Sequence, residues 1–350
     1  MDLLIFIIAL SVLVLVHEFG HFFAAIKTGV KVEEFGLGLP PRIIGKKIGN
    51  TVFSLNWLPI GGFCKLYGED GDGKGKDAFN NKNPWQKLLI VLGGVIMNLV
   101  LAIVVFSAVY SITGIPYETN RVSIIGIAKS SPADKAGLVE GDVVKKVENM
   151  EVTTPSQLTA EVAKYKGKNV NLDVVTKQGT EKQVSVEVRE KPPENEGSMG
   201  VAISNTEMRP MKWYEIYKGI GAGFKEAYFW GKIIGGGVFG MIGGLFSGHV
   251  PKDVSGPFGI YEATGAIRKS QGLLAVIHFF GVVSVNLAIV NVLPFPALDG
   301  GRIIFVIYEM LSKKRANQQV EATVDNIGML ILLGLIVLIT AGDIFRFIKH

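Results

Sequence analysis

Two histidines and a glutamate are grouped in the sequence HEFGH at residues 17–21. A helix turns about 100° per residue, so His17 and His21 lie one turn apart on the same face, where their imidazoles can bind one tetrahedral metal ion. Glu18 lies on the neighbouring stripe, where its carboxylate can hold a water molecule without binding the metal itself. This spacing is typical of metalloproteases and predicts metal-assisted hydrolysis of an amide bond.

The motif lies in a strongly apolar segment. From Leu3 to Ile26, every residue other than Ser11 and the three ionisable ones is apolar or glycine. The segment can cross the roughly 30 Å hydrocarbon layer of a membrane. An ionisable group there costs roughly 2.5 kcal/mol or more unless another group compensates it, so a chance match is disfavoured. Because no Lys or Arg precedes it and no small-residue cleavage site follows, we expect a retained helix rather than a signal peptide.

Composition supports a membrane protein that carries a soluble insert. The 350 residues are 48% hydrophobic and only 19% charged. The net charge of +5 comes from scattered lysines and indicates no nucleic-acid surface. A single cysteine, Cys64, excludes an internal disulfide and a Cys-based zinc site. Any further metal ligand is then a carboxylate or one of His249, His278 and His350.

Four stretches are apolar and long enough to cross a membrane: about 3–26, 88–112, 273–293 and 327–348. Residues 31–66 are rich in alternating and turn-forming residues, which predicts a β-hairpin or re-entrant region at the membrane surface. We therefore expect an N-terminal membrane core over 1–112 and a C-terminal membrane core over 273–350.

The intervening sequence changes in character. Residues 116–191 combine short alternating strands with two capped helices, which predicts a soluble α/β module. For residues 192–272 the sequence predicts, in order, a linker, a Gly-rich amphipathic helix over 212–246 and a turn-rich segment. The helix has too few uninterrupted apolar positions to cross the membrane, so we expect it to lie at the membrane surface or dip into it.

Charges in the short connections predict the orientation in the membrane. The loops after the first and third spans carry an excess of Lys and Arg, which places them in the cytoplasm. The module and both chain ends are then extracytoplasmic, and the motif lies in the cytoplasmic half of the first span.

A second segment could complete the metal site. The sequence NVLPFPALDGG at 291–301 ends the third span, because Pro294 and Pro296 break its helix. Asp299 falls in this unwound end, at the same predicted depth as the motif, and is the favoured third ligand. The alternative for Asp299 is a helix cap. His249 and His278 lie at the outer side and fit less well.

These features together resemble the site-2 protease family of intramembrane zinc metalloproteases. The resemblance rests on HEFGH in the first span, the extracytoplasmic insert and NVLPFPALDG after the third span, and it covers nearly the whole chain. The most similar branch is the bacterial one related to the regulator of sigma-E protease, which cleaves anti-sigma factors and remnant signal peptides. Residues 116–191, with SPADKAGLVEGD, resemble its PDZ domain, of which this chain has room for one.

The resemblance implies a fold and a set of roles. The fold is a polytopic α-helical membrane protein with four transmembrane helices, a membrane-associated β-hairpin region and an inserted extracytoplasmic α/β PDZ domain. His17, His21 and Asp299 would bind one Zn²⁺ per chain, with Glu18 as general base. Asn291 would hold the substrate strand, and Asn286 and Asn98 are weaker candidates. The expected partners are transmembrane substrates, the bilayer and a peptide ligand of the PDZ domain.

Further implications concern substrate access. Residues 31–65 match the hairpin that pairs with an extended substrate, and Gly256–Gly259 match a gate-like segment after the PDZ domain. The active site would face the cytoplasmic side of the bacterial inner membrane.

Two other classes of function fit parts of the sequence. A membrane zinc transporter would pass an ion between ligands, and it predicts further polar ligands along the spans, where Asn98 and Asn286 are the residues available. A non-enzymatic PDZ scaffold predicts loss of Glu18 or Asp299, yet both are present. For the module itself, a generic α/β spacer competes with a PDZ domain.

Overall fold

The computed structural model describes residues 1–69, 73–193, 196–246 and 256–349. The chain forms two compact units, one of Met1–Ser111 with Tyr214–His350 and the other of Ile112–Trp213. His249 and His350, two of the histidines considered as ligands, lie outside the described residues.

The helices, in chain order, are α1 (Asp2–Thr28), α2 (Pro84–Thr113), α3 (Pro132–Lys135), α4 (Pro155–Val162), α5 (Ile216–Phe246), α6 (Pro257–Gln271), α7 (Leu273–Val292), α8 (Asp299–Ser312) and α9 (Gln318–Lys349). The strands are β1 (Val32–Ile48), β2 (Thr51–Leu66), β3 (Ile115–Ile127), β4 (Val143–Val147), β5 (Met150–Glu151), β6 (Asn169–Val175), β7 (Glu181–Glu187) and β8 (Val201–Arg209).

Four helices of the first unit are long and apolar enough to cross a membrane. They include α1, α2, α7 and, within α9, Gln319–Phe345. The four predicted spans are confirmed as helices, although α9 begins nine residues before the predicted start at 327. The amphipathic helix α5 is not among the candidate spans found in the described residues.

The break after α7 positions the start of α8. Residues 293–298 are not helical, as Pro294 and Pro296 predict. Asp299 is not in this unwound stretch but is the first residue of α8, directly after Leu298 at the N-cap position, where no side-chain capping hydrogen bond is made. The cap position of α8 is therefore occupied by Leu298 and not by Asp299. Gly300 allows the tight turn, because a Cβ there would lie 2.0 Å from the carbonyl oxygen of Leu293.

β1 and β2 form the predicted hairpin, antiparallel from Ile48 opposite Thr51 at the turn to Val32 opposite Leu66 at the open end. The hairpin also bends back on itself, because Glu34–Leu37 lie beside Val52–Leu55 as well. Along its opposite edge, the Glu34–Leu37 segment pairs with residues 62–65.

The gate-like segment is more ordered than its turn residues suggest. Gly256 is the N-cap of α6, and Pro257 occupies the first helical turn, a position that favours proline. Asp343 of α9 accepts hydrogen bonds from the backbone N–H of Gly256 at 2.8 Å and of Gly259 at 3.1 Å. A carboxylate therefore joins the start of α6 to α9.

The second unit has its own core of buried Val, Leu and Ile side chains. Its antiparallel sheet has the order β7-β6-β4-β3-β8, with β5 paired to β4. The helices after Ser131 and Thr154 are observed, each with the predicted side-chain cap. The unit extends beyond residue 191, because β8 pairs with β3 from Ile115 opposite Arg209 to Ile127 opposite Val201.

Candidate metal centre

Three potential metal ligands meet between α1 and the start of α8. His17 Nε2 lies 3.2 Å from His21 Nε2. Asp299 Oδ2 lies 3.2 Å from His17 Nε2 and 3.4 Å from His21 Nε2. Among the described residues, these three form the one group of His, Cys, Asp or Glu side chains that lie close enough to one another to hold a metal ion. The structure thus brings together all three residues predicted as ligands.

The arrangement fits a tetrahedral zinc ion. Bonds of about 2.0–2.1 Å at tetrahedral angles place ligand atoms about 3.3–3.4 Å apart, close to the separations found here. Asp299 Oδ2 is buried and accepts no hydrogen bond within the described part of the chain. Because a buried carboxylate oxygen without a donor is costly, a cation bound between the three side chains accounts for its position.

Glycines let α2 approach the histidines closely. A Cβ at Gly20 would lie 2.1 Å from the carbonyl oxygen of Gly93. A Cβ at Gly94 would lie 2.5 Å from His21 Nε2 and 2.6 Å from His17 Cε1. Neither position has room for a larger residue, so the Gly93-Gly94 pair places the α2 backbone against both imidazoles.

α2 also contacts the Nδ1 atoms of the two histidines. His21 Nδ1 lies 2.9 Å from the carbonyl oxygen of Ile90, to which it can donate. The side-chain amide of Asn98 lies 3.3 Å from His17 Nδ1 and is fully buried. With Nδ2 towards the ring, Asn98 Oδ1 has no hydrogen-bond partner among the described residues. In the opposite amide orientation, Oδ1 faces His17 and accepts a hydrogen bond from its Nδ1–H, so that Oδ1 is no longer without a partner.

A cavity of about 430 Å³ adjoins the three ligands. Glu18 faces it from α1, Phe63 and Cys64 from β2, and Asn291 from the end of α7. Burial, together with the nearby carboxylates of Glu18 and Glu69, raises the pKa of the Cys64 thiol. The cavity is large enough to admit water and a stretch of extended peptide to the side chain of Glu18.

An ionic network on the cavity wall joins three segments that are distant in sequence. Arg302, one helical turn after Asp299, forms an ion pair with Glu69 and lies 4.0 Å from Asp325 of α9. Asp325 Oδ1 also accepts a hydrogen bond of 3.4 Å from the backbone N–H of Ala297. Desolvation alone would lower the pKa of Arg302, but Glu69 and Asp325 hold it above its usual value. These three residues were not identified from the sequence, which shows no local signal for them.

The other predicted residues occupy different surroundings. Asn291 lines the cavity, whereas Asn98 is buried against His17. Asn286 is half-buried in α7 and is not among the described residues that line the cavity. His278 is not part of the metal centre: its Nε2 lies 3.3 Å from Glu226, which also accepts a hydrogen bond from Trp230.

Comparisons with known proteins agree with this site. Residues 5–335 match Peptidase family M50. A protein of Clostridium acetobutylicum is 34% identical over 343 residues, covering 98% of this chain and 97% of the relative. A protein of Clostridium perfringens is 33% identical, with 97% of each chain covered, and one of Fusobacterium nucleatum is 28% identical, with 99% covered. All three bear the name "Putative zinc metalloprotease".

An HEFGH motif in an apolar helix, a carboxylate at its metal-binding face and a match over almost the full length define a membrane metallopeptidase. The chain belongs to Peptidase family M50, the site-2 protease family. It is a zinc metalloprotease, and its apolar helices make it a membrane protein.

Proposed function

We propose that the chain is an intramembrane protease that hydrolyses peptide bonds within or next to the transmembrane segment of single-span membrane proteins. Its substrates would be anti-sigma factors or remnant signal peptides in regulated intramembrane proteolysis. The observation that carries the proposal is the position of His17, Glu18 and His21 inside a candidate span, on a cavity that also contains Asp299.

One zinc ion would be held by His17 Nε2, His21 Nε2 and Asp299 Oδ2. When bound, zinc supplies Lewis acidity, which makes a water molecule nucleophilic near neutral pH and polarises the scissile carbonyl. Among the described residues one such group of ligands is found, rather than a series along the spans. This supports a resident catalytic ion over a transported one.

Glu18 would act as general base and then as general acid. Its carboxylate faces the same cavity as the three ligands but is not one of the atoms that form their cluster. It can therefore take a proton from the attacking water and deliver it to the leaving amine nitrogen. Both transfers occur on one side of the scissile bond, which a single carboxylate can reach.

α2 would keep the two imidazoles in the form that binds a cation. The Ile90 carbonyl and the Asn98 side chain each contact an Nδ1 atom, which leaves each Nε2 lone pair directed towards Asp299. Because Asn98 is buried behind His17, we propose that it positions this ligand rather than contacting substrate.

The edge of the hairpin would hold the substrate in extended form. Residues 62–65 pair with β1 on one side, while Phe63 and Cys64 face the cavity on the other. A transmembrane helix must unwind before its amide bonds can be attacked, and pairing with an edge strand stabilises the extended form. Asn291, across the cavity, is the proposed second contact to the substrate backbone.

Orientation and the insert complete the proposal. From the positive charge of the loops after the first and third spans, we propose that the metal centre lies towards the cytoplasm and that residues 112–213 are extracytoplasmic. We assign this unit as a single PDZ domain, supported by its antiparallel sheet with two capped helices and by its SPADKAGLVEGD sequence. It would bind a peptide or exclude uncut ectodomains by size.

The test is cleavage of a single-span membrane protein by purified protein in detergent. Glu18→Gln should keep its zinc and lose activity by on the order of 100- to 10,000-fold, because the proton transfers are lost. Glu262→Gln, an exposed glutamate of α6, is the matched control and should cleave normally. Cleavage by Glu18→Gln at the wild-type rate would refute the mechanism. Mass spectrometry of transmembrane fragments that accumulate on inactivation would test the substrate class.

A further inference from the structure

We propose that a basic cavity beside the first turn of α2 binds the headgroup of an anionic phospholipid. The cavity has a volume of about 520 Å³ and shares no lining residue with the cavity at the metal centre. Five basic residues line it: Lys82 lies just before α2, Lys87 lies in α2, and the loop between α8 and α9 contributes Lys313, Lys314 and Arg315.

The positive charge of this cavity is not neutralised by its own walls. Among the described residues that line the cavity, one is acidic, Glu309. The ammonium group of Lys87 forms an ion pair with its carboxylate at 2.7 Å. Glu309 also accepts a hydrogen bond of 3.1 Å from the backbone N–H of Ala316. Both carboxylate oxygens are therefore occupied, and the other four cations remain.

The loop cations are available to a ligand. Lys313, Lys314 and Arg315 are exposed, and no acid in the described part of the chain lies within ion-pairing distance of them. Lys82 is held in place, because its ammonium group donates a hydrogen bond of 2.8 Å to the carbonyl oxygen of Thr28 at the end of α1. One fixed and three adjustable cations suit the oxygens of a phosphate group.

The cavity lies at the boundary between membrane and water. It adjoins the first residues of the candidate span Pro84–Thr113 and the loop that leads into the candidate span Gln319–Phe345. Trp85, which lines it, is 72% exposed, as expected of an aromatic residue in the interfacial belt.

Exposed apolar side chains close in sequence to the lining residues favour a lipid over a free anion. Leu89 follows Trp85 by one helical turn, Leu311 precedes the basic loop, and Val320 lies in the first turn of α9; all three are exposed. A phospholipid would place its phosphate among the cations and its acyl chains against these residues. Inorganic phosphate would use the cations alone.

The test is native mass spectrometry of the full-length protein in detergent, with phosphatidylglycerol or phosphatidylcholine of identical acyl chains. The wild type should retain phosphatidylglycerol preferentially. The triple variant Lys313→Gln/Lys314→Gln/Arg315→Gln should lose at least tenfold in its affinity for phosphatidylglycerol, since each basic residue near an anionic lipid contributes about fivefold. The charge-preserving variant Lys313→Arg/Lys314→Arg should bind as the wild type does.

A matched control removes the same charge elsewhere. Lys166→Gln/Lys168→Gln/Lys177→Gln changes three exposed lysines of the second unit and should leave lipid binding unchanged. Equal loss in this control, or an unaltered preference in the loop variant, would overturn the proposal. Displacement of the lipid by inorganic phosphate at the same concentration would also overturn it, because the site would then be a plain anion site. Preferential binding of an acidic peptide would identify a protein partner instead.

Discussion

The Nδ1 atom of His17 determines whether its Nε2 can bind a cation. A neutral imidazole carries one proton, and a hydrogen bond from Nδ1–H leaves the Nε2 lone pair free. The Asn98 side chain is the group placed 3.3 Å from that Nδ1. We therefore expect Asn98 to affect metal affinity more directly than substrate contact.

Replacing Asn98 tests this role. Asn98→Leu should weaken zinc binding by about 10- to 100-fold, the usual effect of removing a hydrogen bond to a metal-binding histidine. Asn98→Asp keeps an acceptor and should retain most of the affinity. Chelator competition measures both, with Asn286→Leu as the control on α7. Equal zinc affinity of Asn98→Leu and the wild type would exclude a positioning role.

Cys64 reports on the cavity because it is the single cysteine of the chain. Its pKa is raised by burial and by the neighbouring carboxylates, so less of it is thiolate at pH 8 than in an exposed cysteine. Iodoacetamide should modify it at least about tenfold more slowly than free cysteine at pH 8, and the rate should still rise above pH 9. Intact mass spectrometry follows the reaction. A rate at pH 8 equal to that of free cysteine would contradict this environment.

At the scale of elements, the close crossing of α1 and α2 builds the metal centre. Gly94→Ala should weaken zinc binding at least tenfold and abolish cleavage, because the new methyl group would occupy space held by both imidazoles. Gly334→Ala in α9 is the control: its Cβ would meet nothing within 4 Å, and alanine favours a helix by about 1 kcal/mol. Zinc content and cleavage measure both variants. Normal zinc binding by Gly94→Ala would refute the close approach.

Local patterns predicted several elements well. The spacing of HEFGH, the alternation in residues 31–66 and the two prolines after α7 each depend on neighbouring residues, and the structure confirms the elements they predict. The segment at 256–259 was predicted as a turn, yet Pro257 begins α6, because Gly-Pro is compatible with both a turn and a helix start.

Long-range partners could not be predicted from the sequence. Arg302 and Glu69 are separated by 233 positions, and nothing in either local sequence indicates the other. The pairing of β8 with β3 joins segments that are far apart in the sequence and depends on the whole sheet. The approach of Asn98 to His17 likewise depends on how α1 and α2 cross.

At the scale of the whole molecule, apolar surface and polar interior are distributed as a bilayer requires. Leu330 and Leu338 of α9 are 71% and 72% exposed, while the ionic groups around Arg302 line the cavity beside the metal centre. Exposed apolar helices are stable in lipid, and polar groups at membrane depth are tolerated where they face a hydrated cavity.

The insert can be removed without a large gap, because Ile115 and Arg209 are paired neighbours at its base. Replacing residues 116–208 by a short Gly-Ser linker should leave zinc content unchanged. If the insert excludes large substrates, this variant should cleave a single-span protein whose intact ectodomain the wild type rejects. Gel-based cleavage assays compare the two proteins. Continued rejection by a variant with normal zinc content would show that selection occurs elsewhere.

We propose that HEFGH and Asp299 together hold one zinc ion, and elemental analysis of the zinc content of purified variants tests this ligand set. Wild type and Glu18→Gln should each contain about one zinc per chain after purification without added metal, while His17→Ala and Asp299→Asn should contain far less. Full zinc occupancy in Asp299→Asn, with its affinity unchanged in chelator competition, would contradict the proposed ligand set.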